Sequence, residues 1–167
     1  MRRKDRELIG KDNIEAVIKR CKSLRIAMVA DGEPYIIPMV YGYSWDDALI
    51  FYLHCGLTGR KNQYLKDGVR VAFELDIDEG LMGQGDIATT YTRAFSAVMG
   101  SGSIVFAKNT EEKRRFFKFI MRHQTGRDAF DINSAYLAVT NAFAIIVDPE
   151  SISASHKELV PSKHIEG

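Results

Sequence analysis

Hydrophobic residues recur at every second position through much of the chain, which is the spacing of strands that bury one face. The clearest case is the run Ala48-Leu-Ile-Phe-Tyr-Leu-His-Cys55. One face of this strand is predicted to enter the core and carries Leu49, Phe51, Leu53 and Cys55. The opposite face carries Ile50, Tyr52 and His54, so the predicted strand ends with a histidine beside its last core residue.

Similar aromatic and β-branched runs predict a mainly β fold. The predicted strands cover residues 25–30, 35–43, 48–55, 69–76, 91–106, 142–148 and 152–157. Gly32, in the turn 31–34, can adopt the left-handed backbone that tight hairpins require. Pro38 has no N–H for a sheet ladder, so its strand is expected at an edge or at a bulge. Residues 77–90 are predicted to form a loop.

Spacings of three and four residues predict helices that flank the sheet. Asp12 and Glu15 have the spacing of a capping box at the start of the first helix. Asn109 and Glu112 have the same spacing before a longer helix that Gly126 ends. Shorter helical segments are predicted at residues 60–66 and 133–140.

Length and charge restrict the classes of function. The 167 residues fit one domain, predicted over residues 1–158 with an exposed tail at 159–167. A formal net charge of +1 provides no basic field for nucleic acid or for a membrane surface. The sequence shows neither a signal peptide nor an apolar run of membrane-spanning length, so a cytoplasmic location is predicted. Cys21 and Cys55 are expected to be reduced, buried thiols.

A candidate binding site follows the His54 strand, in the segment Gly56-Leu-Thr-Gly-Arg-Lys61. If a helix begins near Arg60, its free N–H groups and the two basic side chains together suit a phosphate. His54 would then lie beside that phosphate. On spacing alone, the same residues are also compatible with a solvated helix start, which is the usual case for Arg-Lys after a loop, and with an inert histidine at a strand end.

These segments carry a resemblance to a known family. The turn at 32–34, the run 37–43, Leu-His-Cys at 53–55 and Gly-Arg-Lys at 59–61 resemble the pyridoxamine 5′-phosphate oxidase-related flavoproteins. Within them the chain is most similar to the branch of nitroimidazole-resistance (Nim) proteins. The resemblance is clearest over 25–73, resumes over 91–102, and implies a six-stranded split β-barrel that binds FMN at a homodimer interface.

The resemblance also implies roles for particular residues. Arg60 and Lys61 match phosphate ligands, and His54 matches a histidine near the flavin and the substrate, here the candidate catalytic residue. Ser96 lies on a strand that passes near the flavin. The full predicted cofactor-binding set is Pro38, Met39, Val40, Tyr41, Leu53, His54, Gly59, Arg60, Lys61 and Ser96.

The chain departs from the oxidases proper in two places. They carry an Arg-Gln pair where this chain has Ala94-Phe95, and a Trp and an Arg near the region of Ser155, His156 and Lys157. Oxidation of pyridoxamine phosphate is therefore not expected. The histidines and cysteines lack the close spacing of metal ligands, so no metal site is predicted.

The predicted function is an FMN-dependent oxidoreductase that reduces nitroaromatic or similar small molecules. A nicotinamide nucleotide or another protein would donate the electrons, and the sequence does not distinguish these donors. The alternative is a flavin- or haem-binding carrier or sensor without turnover, in which His54 or His156 would be the candidate haem ligand.

Overall fold

The computed structural model describes residues 3–159. The strands are β1 (Ser23–Ala30), β2 (Glu33–Val40), β3 (Gly42–Trp45), β4 (Leu49–Gly56), β5 (Arg70–Met82), β6 (Thr92–Phe106), β7 (Thr140–Val147) and β8 (Ser153–Lys157). The α-helices are α1 (Lys11–Arg20), α2 (Thr110–Thr125) and α3 (Ser134–Ala138). Single 3₁₀ turns cover Lys4–Arg6, Arg60–Gln63, Ala88–Thr90 and Pro149–Ser151. The predicted mainly β class with flanking helices is confirmed.

Seven of the strands follow the order β2-β1-β5-β6-β7-β4-β3, and β8 pairs with β6. The pairings β1–β2, β1–β5, β3–β4, β4–β7 and β6–β7 are antiparallel. The sheet thus has eight strands where the resemblance implied a six-stranded barrel, and β3 and β8 are the two shortest of them.

By the density of its internal contacts the described chain forms two compact units. The first unit contains residues 3–21, 75–98 and 153–159, and the second contains residues 22–74 and 99–152. The predicted single domain over residues 1–158 stays a prediction. Leu159, the start of the predicted tail, is exposed, and residues 160–167 lie outside the described residues.

The predicted strand 35–43 is divided in two at Tyr41. β2 pairs with β1 from Ala30↔Glu33 to Ser23↔Val40, whereas β3 pairs with β4. Tyr41 is fully buried between the two strands, so the chain changes its pairing partner at that residue. β2 ends the strand order of the described residues, which agrees with the edge position expected from Pro38.

The turn between β1 and β2 has positive φ angles at both central residues, 55° at Asp31 and 82° at Gly32. Ala30 pairs directly with Glu33 across it. Two-residue hairpins favour this backbone because its twist matches that of the flanking strands. The predicted tight turn is confirmed.

The two faces of β4 are as the alternation predicts. The core face is buried, with exposed fractions of 2% at Leu49, 0% at Phe51 and Leu53, and 6% at Cys55. The other face lies beneath α2, where the Tyr52 ring stacks on Phe119 with a centroid distance of 4.3 Å. β4 is therefore covered on both sides.

Helix α2 has the predicted caps. The Asn109 side chain accepts a hydrogen bond from the backbone N–H of Glu112 at 2.9 Å, and the Glu112 carboxylate accepts one from Lys108 N–H at 2.8 Å. At the other end, Gly126 has a φ of 73° and its N–H donates to the Arg122 carbonyl at 2.8 Å. Left-handed backbone at this position favours glycine.

Three local predictions are wrong. Helix α1 begins after Gly10 without a side-chain cap, because Asp12 already lies within the first turn. β5 continues to Met82, so residues 77–82 of the predicted loop 77–90 belong to a strand. An ion pair of 2.7 Å between Arg93 and Asp78 joins β6 to this part of β5. The predicted helix 60–66 is a four-residue 3₁₀ turn.

Gly42 marks the closest approach of α2 to the sheet, since a Cβ there would lie 2.2 Å from the carbonyl carbon of Phe119 and 2.3 Å from the Ile120 nitrogen. Because backbone atoms cannot move aside as a flexible side chain can, we expect Gly42→Ala to lower the free energy of unfolding by about 1–3 kcal/mol. Urea unfolding measures this change. Gly56→Ala is the matched control because its Cβ would meet open space; equal losses in the two variants would contradict the packing argument.

Candidate functional site

The loop after β4 is closed by the side chain of Asn62. Its Nδ2 donates hydrogen bonds to the carbonyls of Gly56 at 3.1 Å and Thr58 at 2.7 Å. Its Oδ1 accepts from Asn141 Nδ2, on β7, at 3.2 Å. Asn62 was missed by the sequence reasoning, although a side chain that bonds neighbouring backbone groups is typical of asparagine near turns.

Arg60 and Lys61 lie in the 3₁₀ turn that Asn62 ties to the loop. Arg60 is exposed and Lys61 is half-buried. Within residues 3–159 neither side chain forms an ion pair with a carboxylate. Gly59, which precedes them, has a φ of 113°. Two adjacent cations without a neutralising partner are available to an anion at this point.

Lys61 also influences the end of β4. Burial raises the pKa of the Cys55 thiol, while the charge of Lys61 acts in the opposite direction. The Cys55 sulfur lies 3.4 Å from Asn62 Oδ1. Both cysteines are buried and outside any disulfide among the described residues, as predicted, and the raised pKa favours the thiol form of Cys55.

His54 lies on the face of β4 that α2 covers. Its ring contacts Phe117 at a centroid distance of 4.7 Å, and Phe117 in turn meets Tyr136 of α3 edge-on at 5.8 Å. Burial lowers the pKa of His54. The imidazole is therefore mainly neutral at pH 7, with one ring nitrogen as a donor and the other as an acceptor.

The predicted residues of β2 differ in their exposure. Pro38 is exposed, Val40 has 48% of its surface exposed, and Met39 is partly buried. Tyr41 and Leu53 are fully buried in the second unit. Pro38, Met39 and Val40 thus offer surface to a ligand that Tyr41 and Leu53 do not.

Ser96 belongs to the first unit, whereas the other predicted site residues belong to the second. Its hydroxyl donates to Glu79 Oε1 at 3.1 Å. Arg20 binds both oxygens of Glu79, at 2.8 and 2.7 Å. This pairing with Arg20 lowers the pKa of the Glu79 carboxyl. The Ser96 proton is therefore directed to a carboxylate of its own unit.

The other residues considered in the sequence have plainer surroundings. Lys157 Nζ donates to Thr92 Oγ1 at 2.7 Å, and His156 is partly buried in β8. No group of three or more metal-ligating side chains comes together within the described ranges. None of the helices from residue 3 to residue 159 is long and apolar enough to cross a membrane.

Fold and site together define a mainly β chain in which a strand carries a partly buried histidine near its end and is followed by a loop with two cations that no carboxylate of residues 3–159 neutralises. Comparison with known families agrees, since the family model described as pyridoxamine 5′-phosphate oxidase matches residues 10–155. The chain belongs to this family and has its split-barrel fold.

Several solved structures are similar. A candidate 5-nitroimidazole antibiotic resistance protein from Bacteroides thetaiotaomicron VPI-5482 is 25% identical, with 91% of this chain and 90% of that chain covered and a TM-score of 0.74. The FAD and heme binding protein from Mycobacterium smegmatis is 14% identical, with coverages of 95% and 76% and a TM-score of 0.78. The flavocytochrome Anf3 from Azotobacter vinelandii is 12% identical, with coverages of 98% and 76% and a TM-score of 0.75. A search of curated protein sequences gave no match.

Proposed function

We propose that the chain is an FMN-dependent oxidoreductase that reduces nitroaromatic or similar small molecules as a homodimer. The observation that carries the proposal is the pair Arg60 and Lys61, which lies without carboxylate partners among the described residues at the end of the Asn62-closed loop. The similarity to the B. thetaiotaomicron protein supports the class of substrate. The flavin-binding structural neighbours support the class of cofactor.

The side chains present fit a phosphate. An arginine and a lysine supply charge-assisted hydrogen bonds, and these are the strong ones in phosphate recognition. The 3₁₀ turn is too short to add a substantial helix dipole, so the two side chains would carry the attraction.

The strand β2 fits the rest of the cofactor. β2 is the end strand of the described sheet, so on one side its N–H and C=O groups are not paired by a neighbouring strand. Pro38 contributes only a C=O group because it has no N–H. These groups suit the polar edge of a flavin ring. Tyr35 belongs to β2, and the centroid of its ring lies 4.7 Å from Arg60 Cζ. Pro38 follows Tyr35 by about 10 Å along β2. The turn that would hold the phosphate and the strand that would hold the ring are thus adjacent in space.

The bound flavin would supply electron transfer from a donor such as a reduced nicotinamide nucleotide to the nitro group. The chain's own residues would bind the phosphate, orient the ring and deliver protons. His54 in its protonated, imidazolium form is the candidate proton donor, and its contact with Phe117 covers one side of the ring.

The outer face of β1, β2, β5 and β6 in the second unit is the candidate dimer surface. It contains a groove of about 370 Å³ lined by Ala27, Ile36, Ala72 and Met99, among others. Ile36 is 62% exposed and Met99 is 43% exposed. An apolar groove of this kind is typical of a surface that another protein covers, and a second copy of the chain would cover it here.

Phosphate recognition is tested by FMN binding. Removal of one charge-assisted contact costs roughly 1.5–3 kcal/mol, which corresponds to an increase in Kd of about 10- to 150-fold. We expect this increase for Arg60→Ala and for Lys61→Ala in titrations that follow flavin fluorescence. Lys66→Ala, which removes an exposed lysine just beyond the turn, is the control. Unchanged FMN affinity in both test variants would overturn the proposed phosphate site.

The catalytic role is tested with His54→Ala. This variant should retain FMN and lose nitroimidazole reduction, because the proton donor is absent. Since burial lowers the pKa of His54, its protonated fraction is small at pH 8 and rises as the pH falls below about 6.5. The kcat of the unmodified enzyme should therefore rise toward low pH, and this rise should be missing in the variant. An unchanged kcat and pH profile would remove His54 from the mechanism. A Soret band in the purified protein would instead favour the haem-binding carrier.

The homodimer is tested by sedimentation equilibrium. Ile36→Glu places a charge in the apolar groove and should shift the unmodified dimer toward monomer, because burial of an unpaired charge is costly. Ile9→Glu, at an exposed apolar position of the first unit, should leave the mass unchanged. A monomeric mass for the unmodified chain at micromolar concentration would exclude the proposed dimer.

A further inference from the structure

The guanidinium of Arg60 is held against an aromatic ring. Its Cζ lies 4.7 Å from the centroid of the Tyr35 ring, within the range of a cation–π contact. Arg60 itself is exposed, whereas Tyr35 is partly buried near the start of β2. A flexible side chain is thus supported by a ring that the strand holds in place.

The Tyr35 ring is in turn held by a second tyrosine. Tyr64, which follows the 3₁₀ turn, meets it edge-on with a centroid distance of 6.1 Å and an interplanar angle of 64°. Edge-to-face pairs of this geometry are attractive beyond their buried area. The orientation of the Tyr35 ring is therefore set by the segment that also carries Arg60.

Tyr64 is anchored to the hairpin turn. Its hydroxyl donates a hydrogen bond to the Asp31 carboxylate. This bond is the main reason that the pKa of Tyr64 is raised, while the neighbouring Arg60 acts in the opposite direction. Successive contacts thus connect the β1–β2 turn to the Arg60 cation, from Asp31 to Tyr64, from Tyr64 to Tyr35 and from Tyr35 to Arg60. All four residues belong to the second unit.

We propose that Tyr35 is a positioning residue for phosphate recognition by Arg60. An unsupported arginine would lose rotamer freedom when it binds a phosphate, and the ring contact removes part of that freedom in advance. A guanidinium has five N–H donors, more than its contacts with the two tyrosines engage. This inference rests on the proposed FMN-phosphate site and assigns it a support that contacts no ligand atom.

The experiment compares two ligands that differ only in the phosphate. Flavin fluorescence titrations would measure the Kd of FMN and of riboflavin for each variant. Tyr35→Leu should raise the Kd of FMN about two- to fivefold, the range of an exposed cation–π contact, and leave that of riboflavin unchanged. Tyr35→Phe, which keeps the ring, should resemble the unmodified protein. A general disturbance of β2 by the leucine would instead weaken both ligands and overturn the inference.

A double-mutant cycle identifies the partner of Tyr35. In the Arg60→Ala background Tyr35→Leu should have no further effect on FMN, whereas in the Lys61→Ala background it should keep its full effect. Failure of Arg60→Ala to weaken FMN binding would overturn the proposed phosphate site itself. An effect of Arg60→Ala without one of Tyr35→Leu would overturn only the positioning role.

Discussion

One side-chain amide joins helix α2 to both ends of the β1–β2 hairpin. Gln124 Nε2 donates to the carbonyl of Lys22, just before β1, at 3.1 Å and to the carbonyl of Tyr41, just after β2, at 2.8 Å. Both amide hydrogens are thus used, and each pairs with a backbone carbonyl at one end of the hairpin. Before Tyr41 the chain pairs with β1, and after it the chain pairs with β4. The amide therefore fixes the helix to the residue at which the pairing strand changes.

The position of α2 determines the chemistry of the candidate site. The helix reaches the sheet closely enough that Gly42 has no room for a side chain. One turn away, its Phe117 covers the His54 ring. Phe117 thus contributes to the burial that lowers the pKa of His54. A shift in the position of α2 on the sheet would therefore alter the protonation of His54 without any substitution in β4.

Local sequence patterns predicted a large part of this arrangement. The alternation in β4, the caps of α2 and the Asp31–Gly32 turn depend on residues that are neighbours along the chain, and all three are present. The break at Tyr41 depends on which strand lies beside it, and the length of β5 depends on contacts such as Arg93 with Asp78. Neither the break at Tyr41 nor the length of β5 follows from the spacing of hydrophobic residues along the chain. The roles of Asn62 and Tyr35 were missed for the same reason, since the residues they contact include Asn141 and Arg60, which are far away in sequence.

The candidate phosphate site depends on short-range interactions alone. The formal net charge of +1 gives little long-range attraction for an anion, and at physiological ionic strength the field of exposed charges decays within about 8 Å. The expected helix dipole is replaced by a single 3₁₀ turn. What remains is the placement of two side chains, by the Asn62 hydrogen bonds and by the Tyr35 ring. In such a site, affinity depends on how well the cations are held before the ligand arrives, because no broader field compensates for a misplaced one.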